Sequence, residues 1–295
     1  MNMYHEKINN RELVILFGKA TQNKNSGNIK LARKICGEIL KSDKNHAETI
    51  HLLGLIELEA QNTQLACDLV EKSVHFKQNN SLFLMNLSII YFELQKFELA
   101  LNTADTAAQL DPTNHKILFL KATIQEKQNK IDPAKNTFED VLKLKPDHLP
   151  ALSKLSQVLL KQGKYEEAFE TINIVLKLSP NSTENIITRG KILTKLNRSS
   201  EAIKDLTRVV REDPQNIASI TVLAECFLRS NRSLDAINVL KNGLEKNPSS
   251  ITILNNLGHV LRDLDKLEEA LIFLDRALDL DPKNVNANVN KGLSL

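Results

Sequence analysis

Protein chemistry draws on nucleophiles, acid–base pairs and metal ligands, and this sequence offers few of them in usable spacing. Its seven histidines are His5, His46, His51, His75, His115, His148 and His259. None forms an HExxH pair on one helix face or stands at metal-ligand spacing from a cysteine. The three cysteines, Cys36, Cys67 and Cys226, match no metal or redox motif. They are expected to be reduced core thiols, as in a cytoplasmic protein. No serine lies in a GxSxG turn, and the glycines are too scattered to build a phosphate cradle. Carboxylates are abundant, but on amphipathic helices they form a solvated face. The expectation is therefore no catalytic residue, no metal and no cofactor, so that these residues are not an enzyme.

The surrounding composition is that of a folded chain. Hydrophobic residues make up 42% and charged residues 25%, which argues against wholesale disorder. Trp is absent and aromatics are 4%, so Leu, Ile, Val and Ala must build the core. Thirty-nine basic residues against 36 acidic ones leave a net charge of +3. That balance argues against a dedicated nucleic-acid binder. The longest apolar run near the start, Leu13 to Phe17, is too short for a signal-peptide core or a membrane span.

Internal periodicity carries the strongest signal. Ala32, Ala66, Ala100, Ala134, Ala168, Ala202, Ala236 and Ala270 recur at a strict 34-residue interval. With this alanine at position 20, eight units run 13–46, 47–80, 81–114, 115–148, 149–182, 183–216, 217–250 and 251–284. Residues 1–12 are left as an N-terminal tail or helix extension, and 285–295 as the first helix of a partial ninth unit. Position 8 is always small: Ala20, Gly54, Ser88, Ala122, Ser156, Gly190, Ala224, Gly258 and Gly292. Proline fills position 32 in the last six full units, from Pro112 to Pro282.

Positions 4, 7, 8 and 11 put one apolar stripe on a first helix, and positions 20, 24, 27 and 28 put another on a second. Small residues at positions 8 and 20 let the two axes approach. Position 15 holds Gly27, Asn129, Gly163, Asn197, Asn231 and Asp265, residues suited to a left-handed helix end. Gln61 and Gln95 break that column, so those two turns should be less ideal. Proline at position 32 ends the second helix, whereas Pro133 and Pro150 fall in first turns, where proline is tolerated.

These columns resemble the tetratricopeptide repeat family from Leu13 to Leu295. The fit is most specific at Leu254, Leu257, Gly258, Leu261, Ala270, Leu274, Ala277 and Pro282. It is weakest in the first unit, where Lys19 and Asn23 stand at apolar positions, as a capping unit allows. The resemblance implies an all-α solenoid: eight helix-turn-helix units and a partial ninth in a right-handed superhelix, with first helices lining a concave groove. Val289, Leu293 and Leu295 lack a following helix to cover them, so the native protein is expected to continue.

In this family, positions 2, 5, 6, 9, 12 and 13 of the first helices face the groove. From the second to the fourth unit that arc is apolar, with Leu52, Leu55, Leu58, Met85, Ile89, Phe92, Phe119 and Leu120. It is either a binding patch or packing between neighbouring first helices. Further along it turns basic, with Lys116, Lys127, Lys154, Lys161, Lys191, Lys195 and Arg229. Those charges either steer an acidic partner or only solubilise the surface. The family's carboxylate clamp needs Lys at position 5 and is missing. Its asparagine ladder at position 6 is reduced to Asn86, Asn256 and Asn290, the last two expected to form adjacent rungs.

The resemblance thus implies a scaffold that binds a protein or peptide segment, with no nucleic acid and no membrane as partner. Two alternatives remain. The stretch HLLGLIEL, His51 to Leu58, resembles the start of bacterial arrays that precede a glycosyltransferase or sulfotransferase domain, making the chain a recruiting arm. Self-association as a homodimer through the apolar arc or the array end is the other.

Overall fold

Every 34 residues the chain supplies two helix-forming runs bounded by a turn and a cap, and the backbone follows. A computed structural model describes residues 9–295; His5 and most of the expected 1–12 tail lie outside the described residues. Among the described residues there are seventeen α-helices and no strand. The first eight are α1 (Asn10–Asn25), α2 (Ile29–Ser42), α3 (Ala47–Glu59), α4 (Thr63–Phe76), α5 (Ser81–Glu93), α6 (Phe97–Leu110), α7 (His115–Lys127) and α8 (Ile131–Leu144). Then come α9 (Leu149–Lys161), α10 (Tyr165–Leu178), α11 (Thr183–Lys195), α12 (Ser199–Glu212), α13 (Ile217–Arg229), α14 (Ser233–Lys246), α15 (Ile251–Asp263), α16 (Leu267–Leu280) and α17 (Val285–Gly292). The chain forms two compact units, the first ending at Ala151 and the second spanning Leu152–Leu295.

Each odd-numbered helix and its successor form a hairpin closed by the same device. The residue after the C-cap takes a positive φ at Gly27, Gln61, Gln95, Asn129, Gly163, Asn197, Asn231 and Asp265. The next N–H then bonds back to the carbonyl five residues earlier, as from Asn62 to Glu57 and from Arg198 to Leu193. Gln61 (φ 63°) and Gln95 (φ 58°) adopt the same turn as the others. The fold does not relax for them: each bears the crowding of Cβ against the backbone.

Every odd-numbered helix except α11 is started by a side-chain cap. Asn9, His46, Asn80, Asn114, Asn216, Ser250 and Asn284 each accept a backbone N–H of the first turn. His148 does the same for the N–H of Ala151. Position-32 prolines sit one residue beyond the C-cap of the preceding helix, where they cannot extend it.

The core is a chain of small contacts. All eight position-20 alanines are buried. A Cβ added at Gly54 would lie 2.6 Å from Val70 and 3.3 Å from the Ala66 carbonyl, which places the close approach of α3 and α4 at those residues. Gly190 meets Leu206 and Gly258 meets Leu274 in the same way. Larger side chains fill the flanks: Ile39 and Ile56 in one cluster, Val70 and Ile90 in the next.

Candidate functional site

The face of the odd-numbered helices turned away from their hairpin partners differs between the two units. In the first unit most of its apolar residues are consumed by packing. Leu52 is 6% exposed and packs in the core cluster of Ala20, Ala32, Cys36 and Ile56. Sequence periodicity assigned it to the open face of α3, but α3 also packs against α1 and α2. Met85 packs beside Leu84 and Ile117, Leu58 beside Val70, and Leu120 beside Ala104. Phe92 meets Phe97 edge-on at 5.6 Å, and Phe119 lies 5.8 Å from Phe138 and 5.0 Å from His148. Leu55 and Ile89 are half-buried. None of these eight ranks among the exposed large hydrophobics, so the arc is not an open apolar patch.

Two of the position-6 asparagines bond within the chain. Asn86 Nδ2 lies 3.0 Å from Nε2 of His51, thirty-five residues earlier. Asn290 Nδ2 donates to Asn255 Oδ1 at 2.8 Å, again thirty-five residues earlier, and its Oδ1 accepts from Arg262 Nη1 at 2.9 Å. Two of the three amides thus bridge neighbouring odd-numbered helices. Asn290 thus spends one of its two amide hydrogens and one of its two carbonyl lone pairs within the chain. His51 stacks on Phe83 at 4.1 Å, and burial lowers its pKa to about 4, partly opposed by the Glu48 carboxylate. It therefore serves as a neutral acceptor for the Asn86 amide.

The thiols offer no nucleophile. Cys36, Cys67 and Cys226 are free and buried. Burial pushes Cys36 up to about 11, and burial with the Glu71 carboxylate pushes Cys67 to about 12. Among the described residues, no group of three or more His, Cys, Asp or Glu is placed to hold a metal ion. No described helix is long and apolar enough to cross a membrane.

In the second unit the same face is open. Between α9, α11 and α13 lies a recess of about 720 Å³, lined by Gln157, Leu160, Lys161, Glu184, Ile187, Thr188 and Lys191 among others. A second, of about 750 Å³, lies between α13 and α15 and is lined by Val222, Glu225, Leu228, Arg229, Asn256, His259 and Asp263, with Lys191 again at its edge. The floors are apolar and the rims polar, as in a site that orients a ligand while burying part of it.

The charges on these rims are not equivalent. Glu184 accepts from Gln157 Nε2 at 3.0 Å. Asp263 is paired with Arg262 at 2.8 Å and lies 3.5 Å from His259. Lys191, Lys195 and Arg229 are exposed and have no hydrogen-bond or ion-pair partner among the described residues. Lys154 is half-buried and engaged within the chain. Of the expected binding residues, Lys191 and Asn256 are the ones that the structure brings to an open recess. Ile187, Leu228 and His259 were missed; their positions on the arc were visible, but no pattern marked them as a floor.

Comparison with known proteins places this architecture. Residues 128–209 and 206–277, about half of the chain, match the family model described as anaphase-promoting complex, cyclosome, subunit 3. No curated protein matches the sequence. Among solved structures, a tetratricopeptide repeat protein from Parabacteroides merdae is 14% identical with a TM-score of 0.69, covering 84% of this chain and 98% of its own. Pseudomonas aeruginosa pilF is 16% identical with a TM-score of 0.63, covering 70% and 94%. A chain of the APC/C hetero-tetramer Cut9-Hcn1 is 14% identical with a TM-score of 0.63, covering 99% of this chain and 57% of that one. At these identities the structural likeness establishes the fold.

Proposed function

Because this chain belongs to the tetratricopeptide repeat family, we propose that it is a protein-interaction scaffold that receives a segment of a partner protein on the open face of α11, α13 and α15. The observation that carries this is the pair of recesses sharing Lys191, each with an apolar floor and a polar rim. A rigid helical surface suits the task, since a preformed site loses less conformational entropy on binding than a flexible one. The Asn255–Asn290 and Arg262–Asn290 bonds hold α15 against α17 and contribute to that rigidity.

The test is selection of binders from a random-peptide display library on the whole chain, followed by two variants. Ile187→Arg fills the floor of the first recess, and Leu228→Arg that of the second. Selected peptides should lose at least tenfold in affinity to one or both, with circular dichroism unchanged. Peptides that bind both variants as well as the parent would place the interaction elsewhere.

A further inference from the structure

Resting on that reading, we infer that the recess between α13 and α15 is an anchor pocket for one aromatic side chain of the partner. The ring takes the place where other hairpins of this chain insert a large side chain of their own. Acids and bases share the rim, Glu225 and Asp263 beside Lys191 and Arg229, so net charge does not choose the ligand. Missing bulk does.

The repeat register shows what is missing. In the first hairpin Ala20, Cys36, Leu52 and Ile56 belong to one closed core cluster, and Ile29, the first residue of α2, packs against it. Six 34-residue repeats further on, the same positions are Ala224, Leu240, Asn256, Val260 and Ser233. All five line the recess. The same space is therefore framed twice. Ile29 and Leu52 close it in the first hairpin; Ser233 and Asn256 are shorter or polar and leave it open in the seventh. Ser199 of α12 is equally short, but it is 3% exposed, so the space is closed there.

Other hairpins show that a ring fits at this place. The first residue is Phe97 in α6 and Tyr165 in α10. Phe97 meets Phe92 edge-on, with centroids 5.6 Å apart. The residues at those two places in the seventh hairpin are Ser233 and Leu228, and both line the recess. A ring entering from outside would lie against Leu228, Leu240 and Val260 and bury apolar surface on both partners. Aromatic side chains are suited to this, because they bury a large area with only two rotatable bonds to fix. At about 750 Å³ the recess is within the range of sites that hold a small ligand. A single side chain seated in such a pocket is the usual centre of a binding surface.

The experiment takes the peptides selected by display on the whole chain and scans each with alanine. One Phe, Tyr or Trp should recur, and its replacement by alanine should cost at least tenfold in affinity, as should Leu228→Arg. Ser233→Phe supplies the ring from within, as Phe97 does in α6. It should cost the same tenfold while the urea midpoint stays level or rises. Ser233→Ala leaves the space open and should bind within twofold of the parent. A lowered midpoint in Ser233→Phe would show that the recess rejects a ring and would overturn the anchor. Peptides that share no aromatic residue, or that still bind Ser233→Phe, would overturn it too; if those peptides are lost to Ile187→Arg, the scaffold reading stands. Selection of no peptide, or binding untouched by Ile187→Arg and Leu228→Arg alike, would overturn both.

Discussion

In the first unit the residues that turn the hairpins are Gly27, Gln61, Gln95 and Asn129; in the second they are Gly163, Asn197, Asn231 and Asp265. Two helix turns in the first unit thus carry long side chains in a left-handed conformation, and none in the second does. The third residue of the even-numbered helices differs in the same sense. It is Leu31, Leu65 and Leu99 in α2, α4 and α6, exposed by 46, 48 and 48%, but Glu167, Glu201, Asp235 and Glu269 in α10, α12, α14 and α16. Acids there complement the helix dipole; leucines do not. On these two features the second unit agrees with its fold more closely than the first, although α6 and α8 of the first unit also carry an acid in the first turn, Glu98 and Asp132. The inner faces match this division. The first unit spends its apolar residues on itself, and the second keeps recesses rimmed by charges of both signs.

The sharpest way to break this comparison is acid. Folded, the first unit keeps His51 neutral down to about pH 4, against an ordinary value of 6.5. Between those values the unfolded chain binds the proton and the folded chain does not, so stability present above pH 6.5 is lost as pH falls. A shift of that size corresponds to about 3 kcal/mol at most. His148, also lowered by burial and by His115, acts with the same sign. Hydrogen exchange, corrected for intrinsic rates, should show the α3–α5 amides losing protection between pH 7 and pH 4. His51→Gln keeps a partner for Asn86 without titrating and should flatten that profile. Equal loss of protection in α13–α15, where the unit's single histidine is solvent-facing, would contradict the assignment.

Next in size is the helix crossing. An alanine at Gly54 meets Val70, which is β-branched and stiff in a helix, and the Ala66 carbonyl, which is backbone. Overpacking of that kind costs roughly 2 kcal/mol. At Gly258 the three nearest atoms to the added carbon all belong to the Leu274 side chain, the closest at 2.5 Å, and none is backbone. The helix propensity gained on replacing glycine, about 1 kcal/mol, offsets most of the penalty there. Urea denaturation should therefore show Gly54→Ala clearly destabilised and Gly258→Ala within about 1 kcal/mol of the parent. The opposite order would mean that α3 and α4 can move apart more easily than α15 and α16.

The turns supply a gain rather than a loss. Gln61→Gly and Gln95→Gly remove a left-handed side chain and should each raise stability by about 1 kcal/mol, net of the entropy glycine adds to the unfolded chain. Asp265→Gly should gain less, since Asp tolerates that conformation better. Midpoints of chemical denaturation distinguish the two cases.

Much of this architecture was legible because the 34-residue columns encode local geometry. The buried alanines, the small position-8 residues and the prolines beyond the C-caps all follow from one helix meeting the next. The Gln61 and Gln95 turns were expected to be less ideal, yet they keep the same φ, because hairpin packing overrides the local preference. What the columns could not encode was contact across three neighbours. Leu52 was assigned to an open face because periodicity sees one helix at a time. The thirty-five-residue offset that joins His51 to Asn86 and Asn255 to Asn290 links positions 5 and 6 of different units. Those positions read as separate columns until the helices are set side by side. Lys191 was visible as one of seven basic residues; only its place on the edge of both recesses sets it apart.

The smallest expected effect concerns the leucine row. Leu65 is the third residue of α4, 48% exposed, in a helix with no acid in its first turn. Glu201 holds the same place in α12. If the two units differ there only by helix-dipole complementarity, Leu65→Glu should stabilise by roughly 0.5 kcal/mol and Glu201→Leu should destabilise by about as much. Salt decides whether that is the cause: the gain from Leu65→Glu should shrink by more than half between low ionic strength and 1 M sodium chloride, because the dipole interaction is screened. A gain that persists in high salt would instead assign the effect to removal of exposed apolar surface. A loss of stability in Leu65→Glu would show that the leucines at positions 31, 65 and 99 support one another across α2, α4 and α6, and that the first unit packs on its outer face as well as its inner one.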